Sequence, residues 1–147
     1  MTVASGATLG GTGILVPTGT NAVIVNGTLA PGRTNALGSL TVKNKAIFAS
    51  GSTYRVKIQA AGNDKLMLTG LLQLNGATLQ VTMPSGFIPV PSTTYTFVSG
   101  YTNLDIGHFA GLSDYARVGS FVIRYNTNAT PKTITLKPVC GTAFLFL

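Results

Sequence analysis

Glutamate and tryptophan are missing from this chain, and its only acids are Asp64, Asp105 and Asp114. Charged residues make up 9% of the sequence, against about a quarter in an ordinary soluble domain. Solvent-facing polarity therefore rests on Thr, Ser, Asn and Gly. These are poor helix formers, because glycine loses backbone entropy and the short polar side chains compete for backbone hydrogen bonds. That balance argues against a helical fold. The single cysteine, Cys140, rules out an internal disulfide, and such sparing use of thiols fits an exported protein. No run of about 18 apolar residues exists from which a membrane-spanning helix could form. Residues 1–5 carry neither the basic nor the apolar stretch of a secretory signal. The formal charge is +7, yet the ten basic residues are scattered, which argues against nucleic acid as a partner.

What is present is a repeated phrase. Gly6-Ala7-Thr8-Leu9, Gly27-Thr28-Leu29, Gly51-Ser52-Thr53-Tyr54 and Gly76-Ala77-Thr78-Leu79 share a pattern of Gly, small, Thr and large apolar, the second copy lacking the small residue. Their apolar members lie 20, 25 and 25 residues apart. Residues 46–56 also align with 71–81 position by position. Self-similarity at this period signals stacked repeats. Within the repeats the hydrophobic period is two: Tyr54, Val56 and Ile58 alternate with Arg55, Lys57 and Gln59, and Leu79, Val81 and Met83 with Thr78, Gln80 and Thr82. Alternation of this kind places one face of a strand on a core and the other in water. Asn26-Gly27, Ser50-Gly51 and Asn75-Gly76 read as turns.

The expected fold is all-β, a parallel β-solenoid with an irregular β-rich closing segment. Residues 1–83 are assigned to coils and 84–137 to the closing segment, which contains strands over 94–98, 121–125 and 133–137. Residues 138–147 form an apolar tail. Terminal repeats of solenoids are expected to be atypical because they seal the hydrophobic column.

The run Asn26-Gly27-Thr28-Leu29-Ala30-Pro31-Gly32 with Gly38-Ser39-Leu40-Thr41-Val42 resembles the passenger-associated strand repeats of bacterial autotransporters. Asp64-Lys65-Leu66-Met67-Leu68-Thr69-Gly70, Asn75 to Val81, Phe109 to Asp114 and Thr133-Ile134-Thr135-Leu136 are similar to them as well. The resemblance runs through most of residues 5–137 and implies a right-handed parallel β-helix displayed at the cell surface, often as an adhesin stalk.

Candidate chemistry is thin. His108 with Asp105 or Asp114 and Ser113 has the residue types of a hydrolytic triad, but no nucleophile elbow surrounds Ser113. Asp105 and Asp114 make the best carboxylate pair for glycoside cleavage, without an E-x-E or D-x-D pattern behind them. Gly62-Asn63-Asp64-Lys65-Leu66 echoes a calcium-binding coil, but as a single copy it reads as a turn in which Asn63 or Asp64 bonds local backbone. No catalytic residue, metal or cofactor is assigned. Lys43, Lys45, Arg55 and Lys57 occur as two pairs at i, i+2, so each pair is expected on one face of a strand. Stacked coils would then line up four cations as an anion-attracting wall. Asn26-Gly27-Thr28 and Asn128-Ala129-Thr130 match the N-glycosylation pattern. Phe144, Leu145, Phe146 and Leu147 are candidates for strand addition to a second copy.

The function expected from these readings is a non-enzymatic extracellular or cell-surface structural element, a stalk or fibre subunit that self-associates head to tail. The alternative is a glycan-binding module whose aromatics Tyr101, Phe109 and Tyr115 stack on sugar rings.

Overall fold

The computed structural model describes residues 1–18 and 21–139. It is all-β and coils as a solenoid of three parallel sheets. The first coil is β1 (Thr2–Val3), β2 (Thr8–Gly11) and β3 (Gly13–Leu15); the second is β4 (Ala22–Val25), β5 (Thr28–Pro31) and β6 (Ser39–Val42). The third comprises β7 (Lys45–Phe48), β8 (Thr53–Gln59) and β10 (Lys65–Leu68), with the short β9 (Gly62–Asn63) folding back on β8. The fourth is β11 (Leu72–Gln73), β12 (Thr78–Thr82) and β13 (Tyr95–Ser99). Sheet A stacks β1, β4, β7 and β11; sheet B stacks β2, β5, β8 and β12; sheet C stacks β3, β6, β10 and β13. Sheet C then continues antiparallel through β16 (Thr133–Pro138), β15 (Phe121–Asn126) and β14 (Arg117–Val118).

The repeated phrase is the spine of sheet B. Leu9, Leu29, Tyr54 and Leu79 occupy one column, each paired in register with the next. Leu29 and Tyr54 are fully buried, and burying a side chain of this size stabilises a fold by roughly 1.5–3 kcal/mol. The phrase's threonines form the adjacent outward column, Thr8, Thr28, Thr53 and Thr78. Val3, Val25 and Phe48 make the matching inward column of sheet A.

The sequence alignment of 46–56 with 71–81 holds on sheet B but slips by one on sheet A. There Ala46 pairs with Leu72 rather than Leu71. The reason is parity: Leu72 and Leu74 are buried, and Leu71 faces out. The corner after Leu74 is one residue shorter than the corner after Phe48, and this restores the sheet B register at Tyr54 and Leu79. The second coil turns tighter still. An added Cβ at Gly27 would strike Ala7 O and Ala4 O, so this glycine is there for close approach. Asn75 and Gly76 do use left-handed backbone, with φ of 49° and 73°.

The coils run past residue 83, where the closing segment was expected to begin. β13, from within 84–137, is the third strand of the fourth coil, and its partner across the sheet is β10. Pro84, Pro89 and Pro91 belong to an enlarged corner between β12 and β13, which hid this continuity in the sequence. Past β13 the chain crosses the edge of sheet A. The Thr102 amide donates to Gly70 O, the Leu74 and Gly76 amides donate to Ile106 O and His108 O, and the Ala110 amide donates to Ala77 O. Asn103 finishes the seal: its Oδ1 accepts from the Leu72 amide and its Nδ2 donates to Leu72 O. A carboxamide thus stands in for a peptide group of the next coil. Beneath it lies a connected aromatic group, with Tyr54 in ring contact with Phe48, Phe97 and Phe109 at 6.0, 5.7 and 6.1 Å.

Candidate functional site

The outward face of sheet B differs from the other two. Sheet A exposes Ile24 and sheet C exposes Ile14 and Met67, whereas no large apolar side chain is exposed on β2, β5, β8 or β12. Its outward columns are the threonine ladder, then Gly10, Ala30, Arg55 and Gln80, then Lys57 with Thr82. A groove of about 520 Å³ runs along this face, with Thr8, Gly10, Ala30, Arg55 and Lys57 as its floor and Gly32, Arg33 and Thr34 as its wall. A second depression of about 360 Å³ continues it past Asn35, Gln59, Thr82 and the exposed Met83.

The wall is held rigidly. Gly11 and Gly32 exchange backbone hydrogen bonds of 2.6 and 2.8 Å, and Arg33 and Ala36 close the loop with a second reciprocal pair. Asp64 anchors its far end. This carboxylate is fully buried; its Oδ1 accepts from the Gly38 amide at 3.0 Å, and its Oδ2 accepts from the Lys57 amide at 2.9 Å. Lys57 Nζ sits 2.8 Å from Oδ2 and also donates to Pro31 O. Asn63 Nδ2 donates to Asp64 O and to Thr96 O, tying the turn to β13. The Gly62–Leu66 stretch is thus strand on either side of Asp64 rather than the expected turn: Asn63 does bond local backbone at Asp64 O, but the Asp64 carboxylate reaches the backbone of Lys57 and of Gly38 in the preceding coil.

The four cations singled out in the sequence separate. Arg55 and Lys57 share the outward face of β8, as their spacing requires. Lys43 and Lys45 do not share a face: β6 ends at Val42, Asn44 adopts φ 74° at the corner, and Lys45 opens β7 on sheet A. A positive-φ residue between two lysines breaks the strand parity on which the expectation rested. Arg55 and Lys57 lie on sheet B, Lys45 on sheet A and Lys43 at the corner before it, so no four-cation wall forms. Lys57 is neutralised by Asp64. Arg55 donates from Nε to Gln80 Oε1 at 3.1 Å, and its Nη groups make no hydrogen bond among the described residues.

Sequence reasoning missed Arg33. It is exposed on the groove wall, in a loop after a Pro-Gly turn where no strand periodicity could place it. The signal available was the 25-residue spacing, which sets the end of β5 beside Arg55 and Lys57.

The triad candidates partly converge. Asp105, His108 and Asp114 border one shallow depression beside Tyr125, and Ser113 is not part of its lining. The His108 ring packs edge-on against Tyr125 at 4.7 Å. Asp114 Oδ1 accepts from Arg124 Nε at 3.1 Å and from the Tyr125 amide at 3.0 Å. No hydrogen bond joins the imidazole to a carboxylate or to Ser113 among the described residues, so the relay a triad needs is not assembled. Nor do three His, Cys, Asp or Glu side chains converge as metal ligands among them.

Of the proposed sugar-stacking aromatics, Tyr101 and Phe109 are buried. Tyr101 OH donates to Thr133 O, and Phe109 packs on Tyr54 and Phe97. Both plug the column because the closing segment has to supply apolar surface where the coils stop. Tyr115 is exposed, but the Arg124 guanidinium lies 3.9 Å over its ring. Burial drives the phenol of Tyr54 well above its ordinary range, with the Asp64 charge adding to the effect. Tyr101 and Tyr125 are both pushed up to about 12, mainly by burial, with smaller contributions from Tyr125 and from Asp114 respectively.

Phe144, Leu145, Phe146 and Leu147 lie outside the described residues, as does Cys140. No helix among the described residues is long and apolar enough to cross a membrane. Compared with protein-family models, with curated proteins and with solved structures, the chain gives no match.

Proposed function

We propose that this chain is a non-enzymatic structural element of the cell exterior, a stalk or fibre subunit that joins end to end through its coils. The observation that carries this reading is the asymmetry of the solenoid's two ends. At the first coil, β1, β2 and β3 are each the last strand of their sheet, and no strand lies beside their outer edges among the described residues. Ile14 and Val16 are exposed there at 62% and 67%. At the other end, sheet A is sealed by residues 102–110 and sheet C is extended antiparallel, while β12 is the last strand of sheet B and leaves one edge there for a second copy to pair with. Three unpaired strand edges over an apolar column are a template for further β-pairing. A head-to-tail contact that does not close into a ring builds a filament. The low content of charge offers little electrostatic opposition to it. The resemblance to autotransporter repeats supports the same setting at the cell surface.

Sedimentation and electron microscopy of the purified chain test this reading. Filaments or length-distributed oligomers are expected, and Ile14→Lys with Val16→Lys should suppress them while leaving the far-UV circular dichroism unchanged. Monodisperse monomers at all concentrations would refute it.

A further inference from the structure

We propose that the sheet B groove binds an acidic polysaccharide laid across the coils, with Arg33 and Arg55 gripping its carboxylate or sulfate groups. This goes beyond the structural role and does not depend on it.

The shape of the site favours an extended polymer. The groove crosses successive coils, from Thr8 in the first to Thr82 in the fourth. Coils repeat every ~4.8 Å, close to the length of one sugar unit in an extended chain. Thr8, Thr34 and Thr82 line the groove and offer hydroxyls along its length. The floor is kept low by glycine and alanine. Gly10 and Ala30 place no more than a methyl group on the floor between Thr8 and Arg55. A ligand can thus lie directly on the sheet.

The chemistry favours an anionic ligand. The only acid near the groove is Asp64, which is buried and already satisfied by two amides and Lys57. That leaves two guanidinium groups, one on the floor and one on the wall, and guanidinium forks match carboxylate and sulfate oxygens in bidentate geometry. The doubly bonded 32–38 loop holds Arg33's backbone in place before binding, which lowers the ordering cost. The strands of this sheet expose no large apolar side chain, and Met83 alone does so in the adjoining depression, which disfavours a protein partner whose interface would want an apolar centre.

Isothermal titration should use four length-matched probes: oligogalacturonate, a heparin oligosaccharide, an uncharged xylo-oligosaccharide and a single-stranded oligonucleotide. Binding of at least one of the two acidic sugars is expected, and which of them binds separates carboxylate from sulfate recognition. Arg33→Gln and Arg55→Gln should each weaken it about tenfold, as loss of a charge-assisted hydrogen bond does. Lys43→Gln with Lys45→Gln should leave it unchanged. Both arginines are solvent-accessible, so the thermal midpoint serves as the check that the variants stay folded. The proposal is overturned by no binding of either acidic sugar, by equal binding of the uncharged probe, by equal losses in the lysine control, or by an oligonucleotide that binds as tightly through the same arginines.

Discussion

Lys57 Nζ and Asp64 Oδ2 lie 2.8 Å apart across the turn that joins β8 to β10, with the carboxylate sealed from solvent and the ammonium largely so. Because the same carboxylate also accepts from the amides of Lys57 and Gly38, it binds the second coil to the third. Removing one partner of a buried charged network costs ~3–5 kcal/mol. Asp64→Ala should therefore lower the urea midpoint by that equivalent with an unchanged slope. Asp64→Asn retains an acceptor and should cost less. An Asp64→Ala variant as stable as the parent would show that the turn holds without its carboxylate.

Gly27 and Gly51 occupy equivalent places in the repeated phrase but should respond differently to alanine. At Gly27 the new Cβ would strike two carbonyl oxygens of the first coil, whereas at Gly51 (φ 87°) nothing lies within 4 Å. Gly51→Ala then carries only the left-handed backbone penalty of about 1–2 kcal/mol. Gly27→Ala has to displace the neighbouring coil, and overpacking of that kind costs up to about 3 kcal/mol. Thermal midpoints of the two variants side by side should rank Gly27→Ala as the less stable.

Tyr54→Phe isolates one buried hydrogen bond, because the phenol donates to Phe97 O at 2.9 Å and the rest of the ring stays packed. The unpaired carbonyl left behind should cost ~1–3 kcal/mol. Chemical denaturation measures it, and a neutral outcome would mean that the β13 backbone relaxes to find another donor.

Alkaline pH should unfold the chain through its buried phenols. Tyr101 and Tyr125 ionise near pH 12 when folded and near pH 10 when unfolded. Between those values the unfolded state holds fewer protons than the folded one, so stability falls as pH rises. It is fully present below about pH 10 and is lost progressively toward pH 12. Both phenols also donate hydrogen bonds, to Thr133 O and Leu112 O, which a phenolate cannot do. Phenolate absorbance and circular dichroism followed together should change in one cooperative step. A smooth titration near pH 10 without unfolding would contradict the burial of these rings.

Much of the coil was legible because a β-solenoid repeats its instructions. Leu9, Leu29, Tyr54 and Leu79 recur with their small neighbours at nearly constant spacing, and their alternation with polar residues sets which side faces in. Strands predicted over 94–98, 121–125 and 133–137 appear as β13, β15 and β16 within a residue or so at most of their ends. Local pattern determined those elements, since strand parity is a property of consecutive residues.

The site was not legible in the same way. Whether Arg55 faces Arg33 or Lys43 depends on corner lengths, and these differ between coils by single residues that sequence period averages away. Lys43 and Lys45 were separated by one left-handed asparagine, and Tyr101 and Phe109 were drawn inside because the last coil needs a plug. Composition and periodicity alone determined that this chain is an all-β stack of coils with few charges. Only the tertiary structure decided which polar residues meet on a common wall and how residues 102–110 seal the last coil, because both depend on how one coil's corner seats against the next.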